Sequence, residues 1–122
     1  MASITIRGTK YELLFDMWAL EQIEQEFGGI KNMYRNLRGE EGTENVAKTM
    51  AGVFKILGNS ARDAAGLATN LTGDEVKHVS VGRITEAIRS AIDEGMKSET
   101  TGGNEADDDV HDEYLEEIEK NV

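Results

Sequence analysis

The chain has 122 residues, enough for one domain with a buried core and little beyond it. It contains no cysteine and no proline, which excludes disulfides and thiolate chemistry, suits a reducing compartment and leaves helices free to run uninterrupted. The net charge of −11 is uneven: residues 99–122 hold ten acids and one base, a net of −9, leaving −2 for residues 1–98, so the body is nearly neutral and lacks the clustered Lys and Arg that nucleic-acid binding requires.

No stretch approaches the roughly 18 consecutive apolar residues of a membrane span. The opening MASITIRG lacks the basic start and apolar run of a signal peptide. The expectation is a soluble cytoplasmic protein. From Ile4 to Gly29 the apolar period then switches once, from two to 3.6, so a strand pair feeds into a helix. Taking Gly8-Thr9 as a two-residue turn sets Ile6 opposite Tyr11 and Ile4 opposite Leu13, with Phe15 on the same face. A ribbon of two strands is marginal alone, so that face must be covered, and its outer edge near Ile4 and Ile6 offers backbone groups to a neighbouring strand.

Asp16 supplies the helix cap, and Phe15 and Leu20 stand at the two positions of a hydrophobic staple. The helix runs to Phe27 and stops at Gly28-Gly29. Met17, Leu20, Ile23 and Phe27 are expected inward; Trp18 projects about 100° away from Met17 and is a candidate partner contact, or else a core residue between helices. Ile30, Met33, Tyr34 and Leu37 repeat at helical spacing up to Gly39, with Lys31, Arg35 and Arg38 on one face. Thr43 caps a third helix striped by Val46, Met50, Val53 and Leu57, broadened by Ala47 and Phe54 and closed by Gly58-Asn59. Gly52 within it costs about 1 kcal/mol relative to alanine, which a close helix crossing explains.

Ser60 and Asp63 form a capping box for a small-residue helix from Ala61 to Asn70, and Thr72 and Glu75 form a better one ahead of Val76 and Val79. Ser80 caps the last body helix, Val81 to about Lys97, with Val81, Ile84, Ile88, Ala91 and Ile92 buried and Arg83, Glu86, Arg89 and Asp93 outward. The fold class is mainly α with a short N-terminal β-hairpin (α+β), a bundle of about five helices plus an acidic tail. Residues 1–97 form the body. In residues 98–122, a linker-like run SETTGGNEADDD precedes Val110, Tyr114, Leu115, Ile118 and Val122 at helical spacing; the readings are an amphipathic peptide that docks on the body or on another protein, or a plainly solubilising disordered tail.

Chemistry finds no foothold. His78 and His111 have no ligand-like partner at useful spacing, and Asp107, Asp108, Asp109 and Asp112 lack the central glycine of a calcium loop. Glu21, Glu24 and Glu26 read as the wet face of a helix. Ser60, Ser80 and Ser90 sit in no nucleophile elbow, and Gly58, Gly66 and Gly73 accompany no Walker lysine. No catalytic, cofactor-binding or metal-binding residue is assigned. The candidate partner-binding residues are Ile4, Ile6, Trp18, Tyr34, Tyr114, Leu115 and Ile118.

The order of elements resembles the tail assembly chaperones of long-tailed phages. The likeness spans residues 3–97 and is carried by a hairpin ending in KYELLFD (10–16), the helix ALEQIEQEFG (19–28), a helical body, and LTGDEV (71–76) before a last long helix. The extension after Ser98 departs from that pattern. The resemblance implies a mainly helical, non-enzymatic protein of the host cytoplasm, absent from the mature virion. It also implies binding to the tape measure protein, self-association around it, and a longer companion made by ribosomal frameshifting, with no nucleic acid or membrane partner. The alternative is an acidic regulatory or inhibitory protein whose tail mimics a polyanion.

Overall fold

The computed structural model describes residues 1–39 and 45–97. Thr43, His111 and the tail positions Tyr114, Leu115 and Ile118 lie outside the described residues. The elements are β1 (Ala2–Ile6), β2 (Thr9–Leu13), α1 (Met17–Phe27), α2 (Ile30–Arg38), α3 (Val46–Ala64), a 3-10 turn at Asp74–Val76, and α4 (Val81–Met96). The body is mainly helical with an N-terminal antiparallel hairpin, and it has four α-helices among the described residues rather than about five.

The hairpin turns one residue earlier than the sequence suggested. Arg7 and Gly8 are the central pair, with φ of 51° and 81°, the two positive values that a type I′ turn needs to match strand twist. Ile4 consequently faces Tyr11 and Ala2 faces Leu13. This moves the pairing by two residues, an even step, so Ile4, Ile6, Tyr11 and Leu13 keep their common face. Arginine seldom adopts positive φ, which hides the turn from a reading of residue types. Arg7→Asn, a residue at ease in that region, should raise stability by about 0.5–1 kcal/mol, read as a higher midpoint in urea; an unchanged or lower midpoint would show that Arg7 carries no strain.

Asp16 caps α1 as expected, its carboxylate accepting from the Ala19 N–H at 3.0 Å, and Gly28 closes the helix at φ 82°. The buried side of α1 is set by Ala19 and Ile23, with Leu20 and Phe27 half in. Met17 is 78% exposed, and Val81 at the start of α4 is 64% exposed, although the apolar spacing places both inside. Each is the first residue of its helix. Ser80 caps α4 through the Arg83 N–H at 3.4 Å, and Ile84, Ala87, Ile88, Ala91 and Ile92 face the core.

The largest correction lies in α3, which runs straight through Gly58-Asn59-Ser60 to Ala64 instead of stopping there. No separate helix spans residues 61–70. The polar triplet that read as a terminator is held by tertiary contacts on a helix buried from Ile56 to Ala61. Leu57 O accepts a hydrogen bond from Leu14 N at 3.0 Å. Gly58 leaves room for the Leu71 side chain. The Asn59 amide clamps the Leu71 backbone at both ends, Nδ2 donating to its carbonyl at 3.1 Å and Oδ1 accepting from its N–H at 2.9 Å. Ser60 Oγ donates to the Asp16 carboxylate at 2.6 Å. Further on, Thr72 N–H donates to Glu75 at 3.2 Å, the reach-back bond of the expected capping box, and it introduces the 3-10 turn.

α3 is the central element, touching β2, α1, α2 and α4. β2 lies along α3 and β1 along α4, and Tyr11 meets Phe54 edge to face at 5.7 Å between centroids. Gly52 admits Phe27 of α1, whose Cζ lies 3.1 Å from where a Cβ would stand, the close approach expected from the sequence. Leu13, Ile23, Tyr34, Phe54, Leu57 and Ile92 are fully buried. α1 and α4 each pack on α3, yet they make little contact with each other.

Candidate docking groove

The gap between the start of α1 and the end of α4 is an open, mostly apolar groove. It is lined by Leu14, Met17 and Leu20 from the start of α1 and the segment before it, by Ala91 and Met96 of α4, and by Met1. Met1 is 66% and Met17 78% exposed, two of the four large apolar side chains with most surface in the described body. Methionine's flexible, polarisable chain adapts to varied apolar partners, and an apolar depression with a polar rim is a shape that a partner helix can enter.

The rim is chemically quiet. Asp16 is engaged by Ala19 and Ser60, and Glu94 Oε1 accepts from the Ala2 N–H at 2.7 Å. Lys97 Nζ lies 3.4 Å from Asp93. What is left for a ligand is mainly apolar area, so the groove suits an amphipathic helix better than a charged small molecule. A second cleft, beside the hairpin turn, carries Arg7, Lys77, His78 and Arg83 together with Asp74 and Glu75. Its charges are mixed and partly spent: Arg83 Nη2 donates to the Thr5 carbonyl at 2.7 Å, Lys77 pairs loosely with Asp74 at 3.9 Å, and Glu75 accepts from Thr72 and Gly73.

The residues singled out from the sequence fare unevenly. Ile4 and Ile6 are buried beneath the hairpin, and Tyr34 has no exposed surface at all, so none of the three side chains is offered to a partner in this structure. Their apolar character serves the core. The β1 edge is also partly taken, since the Ala2 N–H and the Thr5 carbonyl bond to α4 side chains. Trp18 is half-buried and packs against the core cluster. It borders a polar trough with Gln22, Gln25 and the ion pair of Lys55 and Glu26, 3.2 Å apart, away from the apolar groove. Met17 and Met96, which do line the groove, escape the sequence reading; the signal is a methionine at the end of an element in each case.

Among the described residues, no three His, Cys, Asp or Glu side chains are grouped to hold a metal ion. No described helix is long and apolar enough to cross a membrane. No protein-family model matches the chain, and neither does any curated protein or solved structure.

Proposed function

We propose that this chain is a non-enzymatic tail assembly chaperone that holds the tape measure protein soluble by laying the groove between α1 and α4 over apolar stripes of its long helices. The observation that carries this reading is the groove itself, an exposed methionine-lined depression between two helices that leave a gap. The resemblance of the hairpin and first helix to such chaperones supports the choice of partner. Occupancy is the whole mechanism: each copy covers a short apolar stretch, and copies side by side gain from local concentration.

Met17 is the variable to change, because its exposure makes it dispensable to the fold. Burying one such side chain is worth about 1.5–3 kcal/mol, so Met17→Glu should weaken binding to a tape measure helix about 10- to 100-fold and return co-expressed tape measure protein to the insoluble fraction. Met17→Leu should retain both. Undiminished solubilisation by Met17→Glu would overturn the reading. An inhibitor acting through its acidic residues would instead release its target at high salt and be indifferent to Met17.

A further inference from the structure

We infer that residues 110–122 of the same chain dock in the groove between α1 and α4, so that the body carries its own placeholder for the site. The inference rests on the proposed function for what displaces the placeholder, and on the structure and sequence for the dock.

The described body ends at Lys97, and both Met96 and Lys97 line the groove. The rest of the chain therefore starts at the rim of the site. Residues 98–109 contain one apolar side chain, Ala106, among Gly, Ser, Thr, Asn and acids. Twelve residues of that composition span about 17–21 Å on average, and α1 itself is about 16 Å long. Residue 110 onward is thus delivered within about one helix length of its own point of departure. Beyond the linker comes an apolar stripe, Val110, Tyr114, Leu115, Ile118 and Val122, in a segment about 20 Å long if helical. So short a helix is marginal in water and needs a surface. The body offers one of matching character at the place where the chain leaves it.

Charge argues that apolar contact and not ion pairing is the adhesive. Residues 99–122 carry −9 and residues 1–98 carry −2, so the two parts repel weakly. Docking should tighten as salt rises, the reverse of a polyanion binding a basic cleft. A short tether gives an effective concentration on the order of millimolar. A placeholder with an intrinsic dissociation constant of about 0.1 mM would then lower the apparent affinity of a competing helix about tenfold. That is enough to exclude casual apolar ligands while yielding to a long partner that many copies grip at once.

The test uses the full chain with methyl-labelled methionine and the variant Leu115→Glu/Ile118→Glu, whose changes lie outside the body. The Met17 and Met96 methyl resonances should differ between the two, and a synthetic peptide of residues 98–122 added to the variant should restore the parent positions. The variant should also bind an apolar tape measure helix about tenfold more tightly. Identical methyl resonances would overturn the dock, and undiminished helix binding alongside them would leave the chaperone reading intact. A methyl difference with no helix binding in either protein would uphold the dock and sink the chaperone reading. Resonances that change with dilution, accompanied by a dimer mass, would place the segment in a neighbour's groove and overturn docking within one chain.

Discussion

Asn59→Leu is expected to lower the unfolding free energy by about 3 kcal/mol, the cost of leaving two buried backbone groups without partners. Asn59 and Leu71 are 8% and 9% exposed, and the amide serves both the N–H and the carbonyl of Leu71. Leucine matches the side chain in size and forms helix slightly better, a gain of a few tenths of a kcal/mol that does not offset the loss. Water has little access to replace the bonds. For a body of this size the shift corresponds to a fall in melting temperature of roughly 12–24 °C. Urea unfolding followed by helical circular dichroism measures it; a loss below about 1 kcal/mol would mean that Leu71 finds other partners and that the clamp is not what holds the segment after α3.

Gly95→Ala is the second large effect, and its sign opposes simple propensity. In an open helix interior the change would stabilise by about 1 kcal/mol. Here the new Cβ would overlap the Phe15 carbonyl oxygen and stand 2.8 Å from the Phe15 Cβ, backbone and near-backbone atoms that cannot swing aside. α4 would have to withdraw from the junction of β2 and α1, and the expected net loss is about 2–3 kcal/mol. Gly58→Ala is the control. Its Cβ would crowd only the Leu71 Cδ1, the tip of a flexible chain, so propensity and crowding should nearly cancel. If denaturant midpoints rank the two the other way, the close seat of α4 against Phe15 is wrong.

Where local chemistry decides the structure, the sequence is legible. Asp16 and Ser80 cap their helices and Gly28 ends α1, each through a rule that operates within a few residues; Gly52 signals a close crossing, but that Phe27 fills it is set by the tertiary fold. The errors arise where distant segments take over. Gly58-Asn59-Ser60 has the composition of a helix end, but its partners are Leu71 and Asp16, and no window along the chain contains all of them. Met17 fits an apolar ladder with Leu20 and Phe27, yet Ala19 occupies the closest contact and Met17 is left outside. The groove is invisible for the same reason, since its two walls come from opposite ends of the described body. Tyr34 shows the reverse: an aromatic with a hydroxyl resembles a contact residue, and the core absorbs it.

The four residues from Leu57 to Ser60 are consecutive, and successive positions on an α-helix are turned by about 100°, so they serve two separate groups of partners, Leu14 and Asp16 ahead of α1 and Leu71 beyond α3. At that level the helix behaves as an axle held between two bearings. Deleting or inserting one residue between its N-terminal half and this collar would turn both bearing surfaces out of alignment at once. Length variation is therefore confined by geometry to the ends of this axle and forbidden in its middle.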